Sequence, residues 1–253
     1  MRRIALIPVY NEESTLVAVL ESVSPRVDLL VIVDDGSSDS SLRLAMSYAQ
    51  DHRNVEVLQL ERNCGMSAAL REGFAHLATG VREGKLDPED VLLTLDADGQ
   101  HDSGEITALC RHLEGTGLDV ALTRRDFALY PAYKRLGNLL MTLWGSLWSG
   151  HRYGDVESGF RAMRLKVLLP LLDYYTGYRY SCAQEIAILT ARLGFRVDNR
   201  FVTVIRLYRS QTGVRDVAVN ACLGCWAFVR WALGFKVAER PVMARRVAPL
   251  EPC

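Results

Sequence analysis

The chain is predicted to be an α/β protein built on a mostly parallel, Rossmann-like sheet flanked by helices, with a less regular second half. Three observations carry this expectation. Short apolar runs alternate with segments of helical period through the first half, which is the pattern of βα units. Residues 29–33, Leu-Leu-Val-Ile-Val, are apolar without interruption, as a strand covered on both faces must be. Acidic pairs, Asp34-Asp35 and Asp96/Asp98, close two of the apolar runs, and in open parallel sheets ligands sit beyond the carboxyl ends of strands.

The elements follow in order. Residues 4–9 form the first strand. Ser14 is placed to cap a helix to about residue 22, with Leu16, Val19, Leu20 and Val23 on one face. Residues 29–33 are a strand, 40–50 a helix and 55–58 a strand. Asn63-Cys64-Gly65 opens a helix over 67–77, whose N-terminal amides favour a nearby anion. Residues 91–95 are a strand, Ser103 starts the next helix, and 118–122 are a strand. In the second half, helices are expected at 131–148, 166–172 and 182–193, a strand at 196–205, and a buried or interfacial helix at 217–235. The organisation expected is a catalytic domain over 1–216, divided into a 1–123 and a 124–216 half, followed by an apolar helix and tail over 217–253.

The 253 residues suffice for one large domain, and 49% hydrophobic with 24% charged residues is ordinary for a globular chain. The net charge of zero argues against a strongly basic nucleic-acid-binding surface. That zero is unevenly distributed. Residues 1–123 hold 10 Lys and Arg against 21 Asp and Glu, a balance of −11, and residues 124–253 hold 20 against 9, a balance of +11. An acidic half suited to a metal therefore adjoins a basic half suited to phosphates or an anionic membrane; the two halves would also simply attract each other. The six cysteines show no disulfide rhythm, and Cys222-Leu-Gly-Cys225 lacks the second pair of a zinc site, so reduced thiols are expected. The N-terminus shows no signal-peptide pattern, and no run of about 18 apolar residues suggests a membrane span.

Chemistry concentrates at the strand ends. In Asp96-Ala97-Asp98-Gly99-Gln100-His101 two carboxylates and an amide oxygen make a hard all-oxygen site suited to Mg²⁺ or Mn²⁺; an ordinary solvated turn is the plainer alternative. Tyr10, after the first strand, offers a ring for base stacking, and Glu12 an acceptor for a base or ribose. Val33-Asp34-Asp35-Gly36-Ser37-Ser38-Asp39 ends the second strand in a turn where a carboxylate could take a ring N–H of uracil or guanine. Segment 131–148 carries Tyr133, Lys134, Arg135, Trp144 and Trp148 around an apolar stripe, which suits either a membrane interface or a helix packed on the sheet.

In this order and spacing the motifs resemble the inverting GT-A glycosyltransferases of family 2, in particular the dolichyl-phosphate mannose synthase and polyprenyl-phosphate glycosyltransferase branch. Downstream, Asp155-Val-Glu-Ser-Gly159-Phe160-Arg161 resembles that branch's D-x-x-S-G-F-R element. The resemblance implies that Pro8, Tyr10, Glu12, Val33 and Asp35 form the nucleotide pocket together with Asp96 and Ala97. It implies that Asp96, Asp98 and Gln100 serve the metal, and that Arg124, Arg209 and Arg215 meet phosphates. Asp155 and Glu185 are candidate bases or structural carboxylates, and His101 a supporting turn residue. Three departures stand out: Arg209-Ser-Gln-Thr-Gly213-Val-Arg215 replaces the usual R-x-x-G-x-S-K, Met66 replaces a frequent Lys or Arg, and Ser103 a proline. The activity implied is metal-dependent transfer of a hexose from a UDP- or GDP-sugar to a polyprenyl phosphate. The implied place is the cytoplasmic membrane face, peripherally or through a membrane-spanning partner. A hydroxyl acceptor and a non-catalytic nucleotide-sugar-binding module are the alternatives.

Overall fold

The computed structural model describes residues 1–127, 130–178, 181–204, 214–237 and 244–247, with the side chains of 214–217 excepted. The first half follows the expected alternation: β1 (Arg3–Val9), α1 (Leu16–Val23), β2 (Leu29–Asp34), α2 (Ser41–Asp51), β3 (Val55–Gln59), α3 (Met66–Arg82), β4 (Val91–Thr94), α4 (Ile106–Gly115) and β5 (Val120–Leu122). The second half holds β6 (Arg124–Arg125), α5 (Ala132–Ser149), β7 (Arg161–Arg164), α6 (Leu168–Leu172), α7 (Cys182–Arg192), β8 (Val197–Asp198), β9 (Val202–Thr203), α8 (Val214–Leu233) and β10 (Arg245–Val247).

The main sheet has the order β10-β3-β2-β1-β4-β7-β5-β8. Strands β3, β2, β1 and β4 are mutually parallel, and β7 runs antiparallel between β4 and β5. Ile4, Ala5, Leu6, Ile7 and Val9 of β1 are all buried because helices cover both faces. Ile4 and Leu6 point into a core with α3 and α7, and Ala5, Ile7 and Val9 into a second core with α1, α2 and α4. Burying one such Leu or Ile contributes about 1.5–3 kcal/mol, so these two layers fix which face each strand end presents.

Three local expectations are corrected. Ser14 does not cap α1: the helix begins at Leu16, and the Thr15 hydroxyl turns to the Ala97 carbonyl at 2.9 Å. The helix after Asn63-Cys64-Gly65 runs on to Arg82. The strand expected over 196–205 is two short strands, because Asn199 leaves the ladder between them. Its Nδ2 donates to the carbonyls of Leu122, Thr123 and Asp155, and its Oδ1 accepts the N–H groups of Gly154 and Asp155. Helix α5, left open by its sequence between a membrane interface and the sheet, packs on α7 and α8, with the Trp144 indole N–H donating to the Ala221 carbonyl at 2.9 Å. Strands β6, β7 and β10 were not anticipated.

Candidate active site

Because β1 lies between β2 and β4 as a parallel neighbour of both, Val9, Asp34 and Thr94 end on one side of the sheet. The chain leaves β1 through Tyr10, Asn11 and Glu12. Asn11 takes a φ of 55°, a left-handed conformation that asparagine tolerates. Its N–H donates to the Ser37 hydroxyl at 3.1 Å and its Oδ1 accepts the Ser38 N–H at 2.8 Å, tying the first two strand-end loops together. Asparagine in a tight strand-end turn was the signal that could have marked it. Tyr10 is 44% exposed, and Pro8 and Glu12 are half-buried beside it.

Val33, Asp34 and Asp35 are buried. Asp35 accepts the N–H groups of Cys64 at 2.7 Å and Gly65 at 2.8 Å. These are the amides expected to attract an external anion, so the anion at the entrance of α3 is Asp35 itself. Burial pushes both Asp34 and Asp35 above the usual carboxylate range. Gly36, at φ +67°, sits where an added Cβ would lie 2.5 Å from the Arg62 backbone, which fixes this turn against the loop leading to α3.

The third strand end is the loop Asp96–Asp102. Asp98 accepts the backbone N–H of Gln100 at 3.0 Å and, on its other oxygen, the Gln100 side-chain amide. Ala97 is buried and joins the site through its carbonyl, which receives the Thr15 hydroxyl. The His101 ring packs on Phe160 and holds Nε2 3.5 Å from Asp96. Burial penalises the charge on Asp96, but His101, Arg161 and Arg125 outweigh it and hold the carboxyl below its usual range. Burial and the charge of Asp96 push Asp98 up. Among the described residues no three His, Cys, Asp or Glu side chains gather as a metal cage. Two carboxylates at a strand end fit Mg²⁺ or Mn²⁺, ions that keep waters and complete their shell with phosphate oxygens. A cleft of about 320 Å³ opens beside this loop, walled by Thr15, Val19, Asp96, Asp98, His101 and Asp102. Pro8, Tyr10, Val33 and Asp35 stay outside its walls.

Facing Asp96 is the loop 154–160. Gly159 presses against it so closely that a Cβ would lie 2.3 Å from Asp96 Oδ2. Asp155 is buried and both oxygens are engaged: it accepts Nε, Nη2 and the backbone N–H of Arg125 at 2.8, 3.0 and 3.1 Å, and the Glu157 N–H at 2.9 Å. Arg125 also donates to Asn138 Oδ1 at 2.7 Å. Breaking a buried pair of this kind costs about 3–5 kcal/mol. Its neighbour Arg124 is exposed over Gly154 and has no charged partner among the described residues. Glu185, fully buried on α7, accepts the Thr176 N–H, the hydroxyls of Thr176 and Ser181, and Arg230 at 3.5 Å; burial pushes its carboxyl up. Glu157, which the sequence did not single out, is half-buried and accepts the Gln184 side-chain amide at 2.7 Å; burial pushes it up as well. Arg209 lies outside the described residues, and Arg215 is described only as backbone in α8. The ends of β1, β2 and β4 thus carry Tyr10, Glu12, Asp35, Asp96 and Asp98 on one side of the sheet, and the Arg125–Asp155 pair lies within electrostatic reach of Asp96.

The comparisons with known proteins agree with this architecture. The chain is similar to glucosyl-3-phosphoglycerate synthase of Mycobacterium tuberculosis: one structure, in complex with phosphoglyceric acid, superposes with a TM-score of 0.65 at 17% identity over 98% of this chain and 90% of that one. Another, holding Mn²⁺, UDP-glucose and phosphoglyceric acid, gives 0.64 at 16% identity over 99% and 88%. An uncharacterized protein of Methanocaldococcus jannaschii is 29% identical over 79% of this chain and 87% of its own length. An undecaprenyl-phosphate 4-deoxy-4-formamido-L-arabinose transferase of Salmonella choleraesuis is 32% identical over 66% of this chain, a match spanning 50% of that relative. The sequence model of glycosyl transferase family 2 matches residues 4–170. Since that match runs from the first strand into α6 and takes in all three acidic strand ends and the loop facing them, the chain is a glycosyltransferase belonging to family 2.

Proposed function

We propose that the protein is a metal-dependent, inverting transferase that moves a hexose from a UDP- or GDP-sugar to a polyprenyl phosphate at a membrane surface. The observation that carries this reading is the Asp96/Asp98 pair at the end of β4, beside the parallel ends of β1 and β2. Asp96, Asp98 and Gln100 would hold Mg²⁺ or Mn²⁺, and the bound ion neutralises charge on the departing nucleoside diphosphate. Pro8, Val33 and Ala97 line the nucleotide's place, Tyr10 stacks on its base, and Glu12 and Asp35 accept its N–H and O–H groups. Arg124, exposed and without a charged partner, joins Arg209 and Arg215 in binding phosphates through its planar fork.

A lipid phosphate is already an anion at neutral pH and needs no strong base. One of its oxygens forms the bond to the anomeric carbon while the bond to the diphosphate breaks on the opposite face, and the electron pair leaves with the diphosphate. Asp155 and Glu185 fit this reading as positioning carboxylates, because both oxygens of each are already hydrogen-bonded. The exposed leucines of α5 support a membrane-side acceptor: Leu136, Leu139, Leu140, Leu143 and Leu147 are each more than half exposed.

The test is release of nucleoside diphosphate from a panel of UDP- and GDP-sugars with Mn²⁺, with and without a short polyprenyl phosphate. Release is expected only with the lipid phosphate, and Asp98→Ala is expected to lower it by at least about 100-fold, the scale of losing a preorganised electrostatic group. Release to a hydroxyl acceptor, or equal release without lipid, would overturn the acceptor assignment.

A further inference from the structure

We propose that Glu157 is a specificity-determining residue whose second carboxylate oxygen accepts a hydrogen bond from a hydroxyl of the transferred sugar. The proposal rests on the glycosyl-transfer reading above and concerns the sugar part of the donor.

Five acids crowd the basic-half side of the site and the metal loop, and each but Glu157 is accounted for. Asp96 and Asp98 are the metal pair. Asp155 is saturated by Arg125 and the Glu157 N–H, and Glu185, deeper on α7, by Thr176 and Ser181. Glu157 differs. Its Oε1 is held by the Gln184 amide at 2.7 Å, and Gln184, fully buried, is itself fixed by the Met141 carbonyl at 3.1 Å. Its Oε2 has no partner among the described residues, although the side chain is half-buried. A carboxylate oxygen oriented in this way and left unpaired is a preformed acceptor.

Two residues along the same loop from Glu157, Gly159 abuts Asp96, while Ser158 between them turns to the Thr123 hydroxyl at 2.7 Å and Phe160 enters the core. Arg125 and Arg161 act electrostatically on both Asp96 and Glu157, placing the two acids in one charge cluster. Charge decides the ligand. Diphosphate and lipid phosphate are anions, which a carboxylate repels. Glu157 also stands apart from the Asp pair as a metal ligand, since among the described residues no three His, Cys, Asp or Glu side chains gather for one. The donors that remain are the base, the ribose and the transferred sugar, and since the reading above gives the first two to Glu12 and Asp35, the sugar hydroxyls fall to Glu157.

The test compares Glu157→Ala and Glu157→Gln with the wild type. Binding of UDP, GDP, UDP-glucose, UDP-galactose and GDP-mannose is measured by calorimetry with Mn²⁺, and kcat/KM for each sugar donor is measured with polyprenyl phosphate. Glu157→Ala is expected to leave the affinity for the bare nucleoside diphosphate within about twofold, which also shows that the variant folds. It is expected to lower kcat/KM for the preferred donor about 10- to 100-fold, the worth of a hydrogen bond to a charged group, and to flatten the preference among sugars. Glu157→Gln, which keeps an acceptor oxygen, is expected to fall between. Equal losses for bare nucleotide and sugar donor, or an unchanged preference, would overturn the role while leaving the transferase reading intact. A wild type that binds neither UDP nor GDP would overturn both.

Discussion

Asp96 and Asp98 stand two positions apart and live in opposite electrostatic settings, one held down by His101, Arg161 and Arg125, the other pushed up by burial and by its partner. The geometry of Asp96 depends on a residue with no side chain. Gly159→Ala would place a methyl 2.3 Å from Asp96 Oδ2, so the carboxylate or the loop must move. Mn²⁺-dependent nucleotide binding is expected to weaken at least about tenfold, roughly 1.4 kcal/mol, with the melting temperature little changed. Calorimetry with UDP or GDP checks this, and an unchanged affinity would mean that Asp96 takes no part in the metal site. The acid pair is legible in the sequence because its two members are local and follow an apolar run. The pairing of Arg125 with Asp155 is not, since the residues lie 30 positions apart. Which of Arg124 and Arg125 turns inward depends on the phase at which the chain enters β6, and side chains alternate there with a period of two. The unpaired oxygen of Glu157 is likewise visible only once Gln184 is in place.

At the scale of the element, α5 shows what periodicity does and does not tell. The helix itself follows from its spacing, but an apolar stripe does not name what it packs on. The structure turns Trp144 and Trp148 toward α8, where Trp148 and Phe228 lie 5.2 Å apart, and leaves the leucines outward. Trp226 and Leu233 of α8 are also exposed. Helix α5 contains Lys134 and Arg135 and no acid. If this face meets a bilayer, the pair Leu139→Glu and Leu143→Glu is expected to abolish co-sedimentation with anionic phospholipid vesicles while leaving nucleotide binding unchanged. Undiminished sedimentation would assign the face elsewhere. Among the described residues no helix is long and apolar enough to cross a membrane. Strand β7 escaped the sequence reading because Arg-Ala-Met-Arg lacks the alternation of a half-buried strand; its Arg161 is buried instead. The strand expected over 196–205 broke for a similar reason, since the demands of Asn199 on five backbone groups are invisible until Leu122 and Asp155 are neighbours.

At the scale of the molecule, the opposed charges of the two halves meet directly. Lys166 pairs with Asp119 and Glu89, Arg164 with Glu89, and Arg246 with Glu56. Pairs this exposed contribute about 0–1 kcal/mol each, so they guide the docking of the halves and do not hold them. What holds them is β7, which runs between β4 and β5. A fragment of residues 1–123 therefore lacks the only strands that pair with β5 among the described residues, and is expected to show no cooperative thermal transition by circular dichroism; a sharp melt would show that the acidic half folds alone. The same insertion sets an order of events during synthesis. Strand β5 leaves the ribosome about 40 residues before β7, and β4 about 70. At roughly 5–20 residues per second, β5 waits about 2–8 s, and β4 about 3–13 s, with an apolar edge unpaired. For that interval the nascent chain is open to chaperone capture or to pairing with another copy, and translational pausing between residues 122 and 161 would lengthen it.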